Sequence, residues 1–372
     1  MKRALLIGAM AESLVEFRAD LIRDLVARGY KVTGAAAAPL TPEILDEIKA
    51  LGADFVPLPL YRTALNPFKD MVTMVAIARL LRALRPDVLI CYTIKPVIYG
   101  GLAIRLSGVK LRFVPMITGL GFAFHGGSRM RDALAGVASS LYKQALVPVS
   151  TVIFQNPDDR ELFLEKSLIS PEKTKIVNGS GVNLNQYARV PLPSGPDVTF
   201  LLAARLLKAK GVREYVAAAE IVKKKYPNAH FIIIGRKETS PDAIASDVVD
   251  AWADSDVIEY GGGVKDVRPF VGKASVCVLP SYSEGLPRTI LEALSMGRPV
   301  IVTDVPGCRE TVVPDVNGCL VPARDVPALA RAMECYLKDP SLIERHGEAS
   351  YQLALEKFDV RKVNLDILAE LE

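Results

Sequence analysis

Two pairs of charged residues in the second half of the chain have the types and spacing that a reaction on a charged substrate needs. Glu284 and Glu292 lie eight residues apart, and Arg205 and Lys210 lie five apart. A carboxylate accepts hydrogen bonds from sugar hydroxyls, and fixed cations stabilise a leaving group that gains negative charge in the transition state. The residues alone also allow a plainer interpretation, in which all four are ordinary solvated side chains of a turn, a helix and a basic loop.

One strand–turn–helix–strand unit positions the two acids. The apolar run Ser275–Leu279 predicts a buried strand. Pro287 suits the first turn of a following helix, because its nitrogen carries no hydrogen to leave unpaired. That helix is predicted over Arg288–Met296 and ends at Gly297, and a second buried strand follows over Pro299–Thr303. The pattern is typical of a parallel sheet.

The turn of this unit is the expected binding element. Ligands of open parallel sheets bind beyond the carboxyl ends of the strands. We therefore expect the backbone N–H groups of Gly285, Leu286 and Arg288 to face an anion, with Glu284 beside them. Glu292 lies within an apolar helix, and an unpaired buried charge is costly, so the sequence predicts a partner for it.

Arg205 and Lys210 occupy the equivalent position after another predicted strand, Val198–Ala203, and ahead of a helix predicted from Gly211. Arginine supplies a forked donor and lysine a point charge, which together suit a diphosphate. Lys208, between them, is predicted to be exposed.

Strands and helices alternate along both halves of the chain, which predicts the α/β class with two doubly wound parallel sheets. The predicted domains are residues 1–182, a linker over 183–197 that contains Pro191, Pro193, Gly195 and Pro196, residues 198–355, and a C-terminal helix over 356–372 that returns to the first domain. Two domains joined in this way are expected to form a ligand-binding cleft. The first-half strands are predicted at Ala4–Gly8, Lys31–Ala36, Asp54–Leu58, Val88–Tyr92, Leu111–Ile117, Thr151–Gln155 and Lys175–Asn178.

Composition narrows the class of protein further. The chain has 372 residues, half of them hydrophobic, which is typical of a globular protein with more than one core. No apolar run reaches the roughly 20 residues of a membrane-spanning helix, and the run Ala4–Ala9 is too short for a signal peptide. The five cysteines are scattered and never spaced as Cys-x-x-Cys, which favours a reducing cytoplasm and argues against structural zinc.

Charge is distributed unevenly along the chain. Residues 1–175 contain 23 Lys and Arg against 16 Asp and Glu, a net charge of +7, whereas residues 176–372 carry −3. Within residues 71–145 ten basic residues accompany only Asp87 and Asp132. This distribution predicts that the first domain faces something anionic. A basic amphipathic pattern over 127–143, with Arg129, Arg131 and Lys143, suits anionic lipid, although an ordinary core-facing helix is the alternative.

The stretch Glu-Gly-Leu-Pro-Arg-Thr-Ile-Leu-Glu-Ala-Leu-Ser-Met-Gly-Arg-Pro-Val-Ile, which begins at Glu284, resembles the E-x7-E signature of retaining glycosyltransferases of family 4. The resemblance continues through Asp304 to Glu310 and implies the GT-B architecture. It implies that Glu284 contacts a donor sugar, that Glu292 contacts the ribose of a nucleotide, and that Arg205 and Lys210 hold the diphosphate.

The resemblance also implies further donor-site residues. The loop after Gly235 and the Gly-Gly-Gly segment after Tyr260 would hold the nucleobase, and Leu286 and Pro287 complete the turn. From the first domain, Gly8 and the segment around Thr118 would face the donor. Many relatives carry a His-Gly pair where this chain has Thr118-Gly119, and His125, seven residues on, either replaces that histidine or has no role.

Tyr92-Thr-Ile-Lys-Pro-Val-Ile-Tyr-Gly and Ile117-Thr-Gly-Leu-Gly-Phe resemble the branch of this family that builds capsule, lipopolysaccharide and N-glycan precursors. Members commonly move an N-acetylhexosamine from a UDP-sugar to a polyprenyl-diphosphate-linked sugar, whose diphosphate would explain Lys95, Arg105, Lys110 and Arg112. We therefore expect a hexosyltransferase at the inner face of the plasma membrane, bound to anionic lipid, with no nucleic-acid partner. The sequence predicts no metal and no cofactor apart from the UDP-sugar donor substrate.

Two other functions remain open at this stage. A sugar-nucleotide isomerase of the same architecture, such as a UDP-N-acetylglucosamine 2-epimerase, would give product without an acceptor. A non-catalytic partner that binds lipid-linked glycan would bind the donor without turnover.

Overall fold

The computed structural model describes residues 1–38, 41–61, 67–120 and 129–372, with side chains from residue 135 onward in the last range. The chain divides into two compact units. The first unit comprises Met1–Ser180 together with Arg361–Glu372, and the second comprises Gly181–Val360.

The first unit is built on a parallel sheet in the order β3-β2-β1-β4-β5. Its strands are β1 (Arg3–Met10), β2 (Lys31–Ala37), β3 (Ala53–Leu58), β4 (Val88–Cys91) and β5 (Arg112–Phe113). Successive strands lie on one side of β1 up to β3 and on its other side from β4 onward, so the carboxyl ends of the parallel neighbours β1 and β4 form the topological switch point of the sheet, where ligands of open α/β sheets bind.

The single strand predicted over Leu111–Ile117 is wrong, because the segment is divided between two sheets. Its first part forms β5, whereas β6 (Met116–Ile117) pairs with β7 (Val152–Phe154), which pairs in turn with β8 (Thr174–Ile176). Pro115 lies at the break, and a proline cannot donate to a ladder.

Helices cover both faces of the first sheet. The ranges are α1 (Glu12–Ala27), α2 (Pro42–Ala50), α3 (Pro67–Leu84), α4 (Ile94–Ser107), α5 (Arg129–Ala145) and α6 (Pro157–Glu165). Alternate residues of β1 enter two cores: Leu5 and Ile7 pack with residues of α3, α4 and α5, whereas Ala4 and Leu6 pack with α1. This alternation is the pattern of a doubly wound sheet.

The second unit repeats this architecture, with a parallel sheet in the order β11-β10-β9-β12-β13-β14. The strands are β9 (Thr199–Ala203), β10 (His230–Ile234), β11 (Glu259–Tyr260), β12 (Val276–Leu279), β13 (Val300–Thr303) and β14 (Gly318–Val321). The helices are α7 (Val212–Lys225), α8 (Ser246–Ala253), α9 (Arg268–Lys273), α10 (Arg288–Ser295), α11 (Val326–Lys338) and α12 (Ser341–Leu353), and a π-helical turn follows at Ala354–Phe358. The predicted α/β class with two doubly wound parallel sheets is therefore confirmed.

Residues 183–197, predicted as a linker, pack within the second unit. The buried Arg298 guanidinium donates to the backbone oxygens of Val190 and Pro191 at 3.0 and 2.8 Å. It also donates to backbone oxygens at Met296, Val271 and Gly272. A fully buried guanidinium satisfied by carbonyl groups fixes this aperiodic segment against the sheet.

The last helix, α13 (Val360–Ala369), joins the first unit. Its Val363, Ile367 and Leu368 are buried in the same core as Leu6 and Leu25. Asn364 donates to Asp24 at 2.6 Å, so polar and apolar contacts both hold the helix there.

Candidate functional site

Two loops of the second unit, residues 204–211 after β9 and residues 280–287 after β12, are held together by their backbones. The Tyr282 amide donates to the Ala209 carbonyl oxygen at 2.9 Å, and the Ser281 hydroxyl donates to the same oxygen at 3.1 Å. Gly211 has a φ of 69°, and a Cβ there would lie 2.0 Å from the Pro280 carbonyl oxygen. Only glycine allows this approach without strain.

These loops bring two of the predicted residues into contact. The Lys210 ammonium group donates a hydrogen bond to Glu284 Oε1. The side chains of Lys210 and Glu284 are 20% and 13% exposed, so the pair is shielded from most solvent. The carboxyl ends of β9 and β12 thus place a cation and a carboxylate side by side, as the sequence predicts.

The loop that follows a third strand, β13, also holds the Glu284 backbone. The Glu284 amide donates to the Pro306 carbonyl oxygen at 3.0 Å, and a Cβ at Gly307 would lie 2.4 Å from the Glu284 carbonyl oxygen. Cys308 is buried nearby, and burial raises the pKa of its thiol well above the ordinary value. The thiol is therefore neutral at physiological pH.

Arg205 stands apart from this pair. Its guanidinium lies 3.9 Å from Glu238 and its side chain is 48% exposed. A pair at this distance and exposure is weak. Arg205 is therefore the more accessible of the two cations that the sequence singles out.

Glu292 has the partner that its burial demands. Glu292 Oε1 accepts a hydrogen bond from Arg288 Nε at 2.9 Å, one helical turn earlier, and its side chain is 6% exposed. Burial raises the pKa of Glu292, while the Arg288 charge and a hydrogen bond from Tyr187 act in the opposite direction. Burial, together with the charge of Glu292, in turn raises the pKa of Tyr187 to about 12.

The remaining donor-site residues of the second unit lie around the same edge. Gly285 and Pro287 are buried and Leu286 is partly exposed, in the turn that precedes α10. Gly235 follows β10, where a Cβ would meet the Ala204 carbonyl oxygen at 1.8 Å. Its amide donates to the Gly262 carbonyl oxygen at 2.8 Å, which joins the two loops predicted to hold a nucleobase.

The first-unit residues are only partly described. Gly8 lies in β1, and a Cβ there would meet the Tyr92 hydroxyl at 2.3 Å, so this glycine makes room for Tyr92. Thr118 follows β6 and is partly exposed. His125 and the side chains of Arg129 and Arg131 lie outside the described residues. The functional roles assigned to the site residues of both units stay predictions.

Three residues of the described sites escape sequence reasoning. Tyr187 faces Glu292 from the aperiodic segment that was predicted as a linker. Tyr282 donates to Glu214 at 2.6 Å and so ties α7 to the turn that carries Glu284. Thr93, at the switch point, has φ 69° and ψ 158°, and its hydroxyl is buried without a partner among the described residues. The amino-acid sequence gives no sign that this threonine adopts a backbone conformation that favours glycine.

Most basic residues attributed to an acceptor diphosphate have protein partners. Lys95 donates to Asp70 at 3.1 Å and to the Tyr61 carbonyl oxygen at 2.8 Å. Arg112 donates to the Glu370 carbonyl oxygen at 2.6 Å, and Arg105 donates to a glutamine amide oxygen. These contacts account for the three residues by the fold. Lys110 is exposed, as is Arg105.

In the described part of the chain, no three or more His, Cys, Asp or Glu side chains are grouped so that they could hold a metal ion. None of the helices described there combines the length and apolar character of a membrane span.

Two family models match the chain in succession. A model described as "Glycosyl transferase 4-like domain" matches residues 15–179, and one described as "Glycosyl transferases group 1" matches residues 197–339. The matches follow the two units and together cover more than four-fifths of the chain.

Curated relatives align over most of the chain. An N,N'-diacetylbacillosaminyl-diphospho-undecaprenol alpha-1,3-N-acetylgalactosaminyltransferase from Campylobacter jejuni is 25% identical, and the alignment covers 92% of each chain. A UDP-Gal:alpha-D-GlcNAc-diphosphoundecaprenol alpha-1,3-galactosyltransferase from Escherichia coli is 26% identical over 80% of this chain and 77% of the relative.

Solved structures share the fold. The structure of Anabaena HepE in complex with UDP-glucose superposes with a TM-score of 0.81 at 16% identity, over 100% of this chain and 99% of that one. A sucrose-phosphate synthase from Thermosynechococcus elongatus gives 0.80 at 19% identity, over 99% and 98%. The architecture is therefore GT-B.

Proposed function

The chain belongs to the group 1 glycosyltransferases of family 4, and we propose that it moves a sugar from a UDP-sugar to a polyprenyl-diphosphate-linked sugar, with retention at the anomeric carbon. The observation that carries the proposal is the cation and carboxylate set at the carboxyl ends of β9 and β12: Arg205, Lys210 and Glu284. The cations suit the phosphates of a sugar nucleotide, and the carboxylate accepts hydrogen bonds from the hydroxyls of its sugar.

The donor would be held in the second unit. Arg205 and Lys210 neutralise the diphosphate, whose negative charge grows as the glycosidic bond breaks, so their stabilisation is greatest in the transition state. Glu284 accepts hydrogen bonds from the sugar, and Glu292 accepts them from the ribose. The loops at Gly235 and Gly262 are joined by a hydrogen bond, and their glycines would let the backbone approach the nucleobase of the donor closely.

A UDP-sugar donor and a lipid-linked acceptor are inferred from the relatives. The Escherichia coli relative is named for UDP-Gal and for a diphosphoundecaprenol acceptor, and the Campylobacter jejuni relative for a diphospho-undecaprenol acceptor and N-acetylgalactosamine. We expect an N-acetylhexosamine donor for this chain, since the relative with the greater coverage is named for that class. Neither a metal nor a cofactor is part of the proposal.

An anionic membrane surface is the proposed location of the reaction, at the inner face of the plasma membrane. The net charge of +7 over residues 1–175 supports it. So do three exposed apolar residues in the first turns of α3, namely Phe68, Met71 and Val72, at 86%, 53% and 55%. Basic and apolar side chains together suit the interface of an anionic bilayer.

The proposal is tested by calorimetric titration of the chain with UDP, GDP and ADP, beside the double variant R205A/K210A. We expect UDP to bind preferentially and the variant to lose at least tenfold in affinity, as for removal of two charge-assisted contacts. Preferential binding of GDP or ADP would overturn the UDP assignment.

Turnover is tested with radiolabelled UDP-N-acetylhexosamines and a synthetic polyprenyl-diphosphate sugar. We expect lipid-linked product only when both substrates are present. Conversion of the donor without an acceptor would favour an isomerase, and donor binding without any turnover would favour a non-catalytic role. Unchanged turnover by E292A would contradict the assigned ribose contact.

A further inference from the structure

Three cations of the proposed donor site each face a carboxylate in this structure. Lys210 contacts Glu284, Arg288 contacts Glu292 at 2.9 Å, and Arg205 lies 3.9 Å from Glu238. The six side chains together carry no net charge. A bound diphosphate would add negative charge to this neutral set and would compete with a carboxylate for each cation that it contacts.

Lys210 and Glu284 are the pair for which this competition matters most. Both side chains are largely shielded from solvent, at 20% and 13% exposure, whereas Arg205 is 48% exposed. Attraction between charges increases as solvent is excluded. The Lys210–Glu284 contact therefore competes with a phosphate for the same ammonium group more strongly than Glu238 competes for Arg205.

The backbone cannot relieve this competition. Hydrogen bonds from Tyr282 and Ser281 hold the Ala209 carbonyl oxygen, and Gly211 packs against Pro280 without space for a Cβ. Glu284 is also held to Pro306 through its amide. Any change of partner is therefore made by rotation of the Lys210 and Glu284 side chains, within loops that stay in place.

We propose that Glu284 and the donor diphosphate exchange places on Lys210, so that Glu284 holds this cation in the free enzyme and is released to the sugar hydroxyls when a nucleoside diphosphate arrives. The inference rests on the proposed function, since it concerns the same donor site. It makes Glu284 a competitor of the leaving group as well as a ligand of the sugar.

The exchange links two steps of the reaction. When the diphosphate takes Lys210, Glu284 loses its contact with this cation and becomes a stronger hydrogen-bond acceptor for the donor sugar. After transfer the sugar is gone, and Glu284 is free to take Lys210 back from the nucleoside diphosphate. Return of this contact would weaken the bound product and favour its release.

The test is calorimetric titration of UDP into the unaltered chain and into E284Q. Glutamine keeps the shape of the side chain but removes the charge that competes for Lys210. We expect UDP to bind E284Q about twofold to fivefold more tightly, the upper part of the range for a single ion pair, while kcat for transfer falls. If Glu284 contacts the donor but does not exchange places with the diphosphate on Lys210, E284Q should bind UDP equally well or more weakly.

Two further variants make the test specific. In K210M the ammonium group is absent, so K210M/E284Q should bind UDP no more tightly than K210M. E238Q removes another carboxylate of the site, one that lies 3.9 Å from its cation, and should tighten UDP binding by less than E284Q does. Equal gains in E238Q and E284Q would indicate a general effect of charge and overturn the exchange.

Failure of this inference differs from failure of the proposed function. If the unaltered chain binds UDP and transfers sugar, but E284Q binds UDP equally or more weakly, the exchange is wrong and the donor site stands. If the unaltered chain binds no UDP, both are wrong. Thermal unfolding of each variant is measured first, and a matched Tm shows that the compared proteins are equally folded.

Discussion

Glu292 is the proposed ligand of the ribose, and burial of its carboxylate charge lowers the stability of the folded chain. Because burial raises the pKa of its carboxyl group, the folded chain holds the proton more tightly than the unfolded chain does. Stability is then greatest below the unfolded-state pKa, near 4.5, and is lost as pH rises through the folded-state pKa. The charged form, which predominates above the folded-state pKa, is the less stable one, a pattern found where function and stability conflict.

We therefore predict that E292Q raises the Tm at pH 7.5 and weakens UDP binding. The gain should shrink as the pH is lowered towards 5, because the wild-type carboxyl group then takes up a proton and resembles glutamine. Scanning calorimetry at both pH values checks the prediction. A Tm for E292Q below that of the wild type at pH 7.5 would show that the Arg288 contact outweighs burial.

At this scale the sequence predicted the charged residues better than their surroundings. The need of Glu292 for a partner follows from the apolar residues around it, and Arg288 lies four residues earlier, where a helix places a neighbour. The Lys210–Glu284 contact joins residues 74 positions apart, and two strands had to be predicted as neighbours to find it. Tyr187 could not be found, since its segment has no periodicity that assigns a direction to a side chain.

Among the structural elements, the turn at Gly211 bears most directly on the donor site. Its φ of 69° favours glycine, and a Cβ would collide with the Pro280 carbonyl oxygen. Gly108 offers a matched control, since its φ is 67° and no atom lies within 4 Å of a Cβ built there. The two glycines differ in steric surroundings and hardly in backbone conformation.

We predict that G108A lowers the free energy of unfolding by about 1 kcal/mol, the cost of a left-handed conformation alone. G211A should cost at least about 2 kcal/mol more, because the two loops must also move apart, and should weaken UDP binding. Urea denaturation and calorimetry check both effects. Equal losses of stability in the two variants would contradict the close packing of these loops.

Hydrogen bonds from Arg298 hold residues 183–197, the predicted linker, within the second unit. Its guanidinium is fully buried and donates to carbonyl groups from three segments of the second unit. Burial lowers the pKa of the guanidinium, but an arginine remains charged at neutral pH. Removal of the side chain would leave several buried carbonyl groups without a donor.

We predict that R298M lowers the free energy of unfolding by about 3 kcal/mol or more, as for the loss of a buried charged partner. R23A serves as the control, since the exposed Arg23–Asp20 pair within α1 should contribute under about 1 kcal/mol. Both values come from urea denaturation. A loss in R298M as small as that in R23A would mean that residues 183–197 behave as a loose linker after all.

The elements show where local patterns suffice and where they fail. The sequence pattern predicts helices over Pro67–Leu84 and Val326–Lys338, and the periodic helices α3 and α11 have these bounds. The segment Leu111–Ile117 is apolar apart from Arg112, and nothing in its hydrophobic pattern marks the change of partner from β4 to β7. Only the proline within it hints at a break.

At the scale of the whole molecule, the two units differ in charge as well as in sequence. Residues 1–180 and 361–372, the first unit, contain 25 Lys and Arg against 19 Asp and Glu, a net charge of +6, whereas residues 181–360 contain 21 against 23, a net charge of −2. Several basic residues of the first unit are engaged in internal contacts, as Lys95 and Arg112 are, yet a net charge acts at a distance whether or not single residues are paired. The first unit also exposes Phe68, Met71 and Val72, so charge and apolar surface occur in the same unit.

We predict that the chain binds vesicles that contain phosphatidylglycerol and does not bind phosphatidylcholine vesicles, and that salt weakens the binding because it screens the attraction. F68S should reduce vesicle affinity about fivefold or more, because a phenylalanine that enters the interface gains free energy by losing its contact with water, and serine gains much less. V316S is the matched control, because Val316 is also exposed, at 49%, but lies in the acidic second unit. Co-sedimentation measures all three proteins. Equal binding of both lipids would contradict an electrostatic attraction, and equal losses in F68S and V316S would contradict the assignment of α3 to the interface.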